Sequence, residues 1–184
     1  MEFEDISRSS MECSKDFIDI SKNLKKLNDT WVLWGHLPHN TDWSLKSFIK
    51  IYETNTIEHV KLICNGLPHS LVQNCMLFYM RKGINPVWED PKNRDGGCFT
   101  YKVFNKDVKH VWTDLTYLIS GESISINNEF NNYVNGITIS PKKSFCIVKI
   151  WVGSNKYTSP KLIRKINKLA NEGCRFKLHK PNIK

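Results

Sequence analysis

Phe145-Cys146-Ile147-Val148-Lys149-Ile150-Trp151 is a short run dominated by β-branched and aromatic residues. It reads as a strand, because such side chains fit a pleated surface. Working outward, runs of the same kind occur at Trp31–Leu37, Leu45–Tyr52, Cys75–Met80, Cys98–Phe104, Val134–Ile139 and Arg175–His179. Seven short strands make a sheet rather than a helical bundle. Three helical windows interrupt them. Asn105 opens one that sets Val108, Val111, Trp112, Leu115, Leu118 and Ile119 on one side before Gly121, and a shorter one starts near Thr54 or Thr56 with Ile57, Val60 and Ile63. In the third, Ser159 is placed to cap, Pro160 suits the first helical position, and Leu162, Ile163, Ile166, Leu169 and Ala170 form a stripe before Gly173. Strict β-α alternation fails, so the expected class is α+β, a single domain with helices on one face of an antiparallel sheet and the other face free for a ligand.

The 184 residues, 40 % apolar, suffice for one globular core and exclude whole-chain disorder. Residues 1–28 are polar and acidic and read as a tail, with the domain spanning residues 29–184. The longest apolar stretches, such as Trp31–Trp34 and Phe145–Val148, are far too short to cross a bilayer, and no export signal is visible. A cytoplasmic protein is expected, with its six cysteines free and no metal or cofactor, since they form no C-x-x-C pair and lack a His at finger-like spacing. Charge is uneven: residues 1–20 hold six acids and two bases, and residues 142–184 hold twelve bases and one acid. A basic end of this kind favours an anionic partner such as nucleic acid, with a solvated lysine-rich surface as the plain alternative.

No phosphate-loop, dinucleotide, zinc-protease or serine-hydrolase motif is present. His36 and His39 have no third ligand at suitable spacing and read as a solvated loop pair. The six tryptophans are more informative. Trp31, Trp34, Trp112 and Trp151 sit within strand or helix patterns, where core packing explains them, whereas Trp43 and Trp88 sit in loops. Trp88 is followed by Glu89, so an aromatic plane and a carboxylate are presented together on a turn-rich segment. That pairing suits guanine, whose ring stacks on indole and whose N1-H and N2 amino group form a donor edge for a carboxylate. Methylation at N7 makes the ring cationic, so two indoles gain a cation-π attraction that neutral guanine lacks.

These residues lie in blocks with a family character. W-V-L-W (Trp31–Trp34), the loop Trp43, G-I-N-P-V-W-E-D-P-K-N-R-D-G-G (Gly83–Gly97), W-T-D-L-T-Y-L-I-S-G-E (Trp112–Glu122) and I-V-K-I-W (Ile147–Trp151) resemble, in this order, the cap-binding translation initiation factor 4E family. The resemblance, from about Trp31 to His179, implies a curved antiparallel sheet with three helices on its convex face and an mRNA 5′ cap in the concave one. It implies that Trp43 and Trp88 sandwich 7-methylguanine, that Glu89 accepts from N1-H and N2, and that Trp151 lies near the N7 methyl. Phosphate contacts pass to Lys142 and Lys143, with Lys149 joining them if it shares a face with Trp151. Cys98 stands where the family has a basic residue after its Gly-Gly. On the helical face the family grips Y-x-x-x-x-L-φ helices of scaffold proteins of the initiation factor 4G type. There Val60 stands for the family's Trp, Thr113 replaces an apolar residue and Asp114 keeps an acid, so ordinary scaffold binding is weakened.

The expected function is a non-enzymatic, monomeric protein that recruits capped mRNA to translation initiation. Its competitors are a cap-sequestering repressor or a factor with a non-standard scaffold partner, a nucleotide-processing enzyme acting on caps, and a generic basic RNA-binding module. The Lys/Asn-rich, divergent sequence suits a rapidly evolving or viral copy.

Overall fold

The strand-forming runs pair edge to edge into one curved antiparallel sheet in the computed structural model, which describes residues 24–170 and 172–180. The strands are β1 (Lys26–His36), β2 (Phe48–Thr56), β3 (Met76–Arg81), β4 (Gly97–Phe104), β5 (Val134–Pro141), β6 (Phe145–Val152) and β7 (Arg175–Leu178), in the order β2-β1-β3-β5-β6-β4-β7. The helices are α1 (Ile57–Gly66), α2 (His69–Asn74), α3 (Pro91–Arg94), α4 (Val108–Ser120) and α5 (Asn128–Asn132). Among the described residues no helix is long and apolar enough to cross a membrane.

Side-chain alternation sorts the central strands onto two faces. Leu77 and Tyr79 of β3, Ile137 and Ile139 of β5, and Val148, Ile150 and Val152 of β6 are buried in the main core. There they meet Ile63 of α1, Val72 of α2 and the Val108, Val111, Trp112, Leu115 and Ile119 stripe of α4. Each such side chain, taken out of water, contributes about 1.5–3 kcal/mol before entropy is counted. Phe78, Met80 and Trp151 point the other way, into a smaller cluster with Phe48 and Ile84. Thr56 caps α1 by accepting from the His59 amide at 3.4 Å, in keeping with the window expected there.

Three local expectations are corrected. Residues 159–170 do not form a helix: Pro160–Leu162 is a single 3-10 turn, and Ser159 makes no side-chain cap. The chain beyond turns back on itself through Lys168 (φ 65°), with a bridge between Ile166 and Leu169, while the Arg164 amide donates to Ile124 O at 2.8 Å. Ile163, Ile166 and Leu169 are nonetheless buried. Leu162 of the same stripe is half-buried and Ala170 is exposed, so the apolar spacing marked three buried side chains, which a loop wrapped over the core buries as well as a helix would. The third helix on the back is instead α2, too short to leave a periodic signal. The Leu45–Tyr52 run splits into a 3-10 turn at Leu45–Ser47 and a strand that starts at Phe48.

The fold also begins earlier than residue 29. β1 starts at Lys26, the Lys25 amide donates to Glu58 Oε2 at 3.0 Å, Asn28 Nδ2 donates to Glu122 at 3.0 Å, and Asp29 pairs with Arg81. The rest of the acidic segment, with Cys13, lies outside the described residues. Cys64, Cys75, Cys98, Cys146 and Cys174 are free.

Gly96 and Gly97 join the cleft loop to β4 where the backbone has no room for a side chain. A Cβ on Gly96 would overlap the Val152 carbonyl oxygen and lie 2.8 Å from Gly153 C, and one on Gly97 would lie 2.8 Å from Phe176 Cε1. Gly96→Ala is therefore expected to cost about 1–3 kcal/mol by overpacking. Thermal denaturation checks this, and a melting temperature equal to that of the parent would show that the backbone gives way freely.

Candidate functional site

A cleft of about 430 Å³ opens on the face opposite the main core. Phe78, Thr138, Lys149 and Trp151 form its floor, all displayed by strand alternation, and Trp43, Trp88 and Lys142 stand at its rim on three separate connections. Lys149 and Trp151, two apart on β6, share this face, which answers the question of where Lys149 points. Lys143 is exposed in the β5–β6 turn and does not line the cleft.

Trp43 is 55 % exposed, so it is not a core residue. What holds it is His36, at the end of β1, whose ring stacks on the indole at 4.3 Å and an interplanar angle of 3°. His36 is 3 % exposed and its Nε2-H donates to the Asp42 carbonyl at 2.8 Å. A carbonyl can only accept, so this contact also sets the tautomer. Asp42 closes the loop: its carboxylate accepts from the Ser44 amide at 2.8 Å and hydroxyl at 2.9 Å, and these bonds hold its carboxyl below the ordinary range. The reading of His36 and His39 as a solvated pair fails for His36, because β1 carries it onto the same face as Trp34. That two-residue spacing was the signal available in the sequence.

Trp88 is 41 % exposed at the tip of the β3–α3 loop, which is built from inside. Asp90 accepts from the Asn85 amide at 2.9 Å, from its Nδ2 at 3.0 Å and from the Lys92 amide at 2.9 Å, so it caps α3 with Pro91 at the first position. Asn93, fully buried, donates to Asn85 O at 3.0 Å and Val87 O at 2.8 Å, and accepts from Asn135 Nδ2 at 2.9 Å. Asn135 in turn belongs to β5, so the loop is tied to the sheet. Glu89 is left exposed on the cleft wall, with no ion pair or hydrogen bond to its carboxylate among the described residues. Asp90-Pro91 is a local sequence pattern that suits a helix N-cap, whereas the buried role of Asn93 has no local trace.

Trp151 is 6 % exposed and its Nε1 donates to Thr138 Oγ1 at 2.7 Å, so its polar group is satisfied and the ring presents apolar surface. His179 packs against it, ring centroids 4.6 Å apart, and donates from Nδ1 to Asn93 O at 2.8 Å. Burial lowers the His179 pKa, with Lys149 adding to the effect, while the bond to Asn93 works against it.

The sequence matches the profile "Eukaryotic initiation factor 4E" over residues 26–184. The chain belongs to the eukaryotic initiation factor 4E family. Among curated relatives, it is 31 % identical over 149 residues to eukaryotic translation initiation factor 4E of Eremothecium gossypii, covering 77 % of this chain and 66 % of that protein. It is 43 % identical over 61 residues to the eukaryotic translation initiation factor 4E homolog of Acanthamoeba polyphaga mimivirus, covering 33 % of this chain and 22 % of that one. The chain thus spans less than two thirds of the length of these relatives. The fold is similar to that of C. elegans eIF4E-3 in complex with the 4E-binding protein Mextli and cap analog (TM-score 0.70, 20 % identity, covering 88 % of this chain and 99 % of that one). It is also similar to that of schistosome eIF4E complexed with m7GpppG and 4E-BP (TM-score 0.65, 23 % identity, covering 72 % and 74 %).

On the helical back of this 4E-family chain, an apolar depression of about 560 Å³ is lined by Leu27, Ile57, Val60, Lys61 and Tyr117, among others. Val60, 2 % exposed, is part of this lining, and Lys61 beside it is exposed. Thr113 and Asp114 are half-buried on α4 outside the lining, and Asp114 faces His110 at 3.4 Å.

The Asn93 hub predicts that Asn93→Ala destabilises the domain by about 1–3 kcal/mol, since it removes the side-chain donors to the Asn85 and Val87 carbonyls and the acceptor of one Asn135 amide hydrogen. Chemical denaturation together with amide exchange at residues 85–90 checks this. Unchanged exchange in that loop would show that Asn93 does not order it.

Proposed function

We propose that this chain binds the 7-methylguanosine 5′ cap of mRNA in the cleft and recruits capped mRNA to translation initiation, acting by binding rather than catalysis. One observation carries the reading: Trp43 and Trp88, the two tryptophans among the large exposed hydrophobics, line the same cleft beside a carboxylate with free acceptor atoms. Exposed indoles on ordered loops are costly for a protein that does not use them, and they suit a flat ligand.

A methylated guanine between Trp43 and Trp88 gains stacking from both rings, and its positive charge faces two electron-rich indole surfaces. Glu89 accepts from N1-H and N2, a pairing that only an acceptor edge satisfies. Trp151, its N-H already committed to Thr138, offers ring surface to the methyl group. Lys142 and Lys149 receive the triphosphate, with Lys143 adding charge from the turn beside them. Solved relatives described as complexes with m7GpppG or with an m7G cap support the same assignment.

Affinity for 7-methyl-GTP and GTP, followed by tryptophan quenching, tests the reading. The methylated nucleotide should bind tighter, and equal affinities would overturn the proposal. Trp43→Ala and Trp88→Ala should each lose about 1–3 kcal/mol of affinity without a matching loss of stability. Glu89→Gln should lose about 2–4 kcal/mol, because an amide N-H then faces a donor edge, and the loss should shrink for 7-methyl-inosine, which lacks the N2 amino group.

A helix of a scaffold or inhibitory protein is the proposed occupant of the back depression, in line with the 4E-BP and Mextli complexes of the relatives. Whether the bound factor recruits or sequesters depends on that partner. With Val60 buried in the lining and Lys61 exposed beside it, neither offers a large ring, so a Y-x-x-x-x-L-φ peptide should bind weakly, and Lys61→Trp should tighten it by about 1 kcal/mol or more. Calorimetric titration reads both, and strong binding to the unaltered protein would refute the weakening.

A further inference from the structure

The open face of the sheet does not end at the cleft. Register pairs Lys149 with Thr100 and Thr100 with Arg175, and in the next row pairs Trp151 with Cys98 and Cys98 with Lys177. Phe99, Tyr101 and Val103 are buried in the main core, and Phe176 packs on Phe99 at 5.0 Å, so the alternate residues Cys98, Thr100, Lys102, Arg175 and Lys177 face the cleft side. Two contacts agree: Cys98 Sγ lies 3.6 Å from Thr100 Oγ1, and Lys102 Nζ lies 4.5 Å from the Phe145 ring centre. Lys149 to Arg175 is two strand spacings, about 10 Å.

Among the described residues this row of cations, Lys102, Lys149, Arg175 and Lys177, has no ion-pair partner. β4, β6 and β7 contain no Asp or Glu. Lys102, Arg175 and Lys177 are exposed, so core packing does not explain them. Like charges gathered on one sheet face repel one another, and an anionic ligand removes that penalty.

We propose that this strip is a track for the RNA that follows the cap: the first nucleotides leave the Lys142–Lys149 end of the cleft, cross β4 and reach the β7 edge, with Arg175 and Lys177 on phosphates. The inference rests on the reading of the cleft as a cap site. Its occupant is single-stranded RNA, because the strip is continuous with the cleft at Lys149 and its charge matches a phosphate backbone. Contacts of this kind position a strand without reading its sequence.

The test compares the unaltered chain with Arg175→Ser/Lys177→Ser, using 7-methyl-GTP, GTP and a short capped oligouridylate over about 50–200 mM salt. The unaltered protein should bind the capped RNA tighter than 7-methyl-GTP and with a steeper salt dependence. The double variant should keep its affinity for 7-methyl-GTP, lose the preference for RNA, and show a log-log salt slope for RNA shallower by about 1.4, the value for two single-strand phosphates. A double variant whose RNA preference and slope match the parent would overturn the track. Failure of the cap reading appears separately, as indifference to N7 methylation in mononucleotides too short to reach β7. Charge reversal, Arg175→Glu/Lys177→Glu, should enlarge the loss for RNA, and no loss there would likewise refute the proposal.

Discussion

Two-residue alternation along β3, β5 and β6 commits each strand to both faces of the sheet at once. Val148 and Ile150 bury against the helical core while Lys149 and Trp151 are pushed into the cleft. Because the period is two, a register slip by one residue would exchange these sets, turning lysine into the core and valine into the cleft. The hydrophobic energy of the main core therefore fixes the orientation of the cleft floor, and the floor needs no stabilisation of its own.

The cleft walls depend on a different device. Trp43 and Trp88 are exposed indoles on loops, and ordering such side chains costs conformational entropy that burial does not repay. Each is held from behind. His36 offers a parallel ring to one face of Trp43, leaving the other face free, and the Asp90–Asn93–Asn135 network ties the Trp88 loop to β5. Preorganisation of this kind spends folding energy so that a ligand meets rings already in place. Gly96 and Gly97 belong to the same construction, since the loop re-enters β4 at a point where only hydrogen side chains fit.

Charge is distributed in the same layered way. Four of the twelve bases in residues 142–184 gather on one face: Lys142 and Lys149 line the cleft, and Arg175 and Lys177 continue the same face across β4. On the back, the apolar depression is nearly free of charge apart from Lys61, so the two faces are suited to chemically different partners.

Much of this was legible in the linear chain. Strand runs, the α1 and α4 stripes, the loop position of the two exposed tryptophans and the Glu next to one of them are local properties, set by residue type and spacing over a few positions. The 159–170 segment shows the limit of such reading: its apolar spacing marked Ile163, Ile166 and Leu169, which are buried, but also Ala170, which is exposed, and the tertiary fold decided that a loop would do the burying. Long-range contacts decided the rest. His36 behind Trp43, Asn93 between loop and sheet, the burial of Val60 and the alignment of Arg175 with Lys149 each join residues from different elements. Composition and local spacing by themselves determined the α+β class, the basic end and the pair of loop indoles. Only the tertiary structure decided which residues support them, because support comes from neighbours in space, and strand pairing rather than chain order chooses those neighbours.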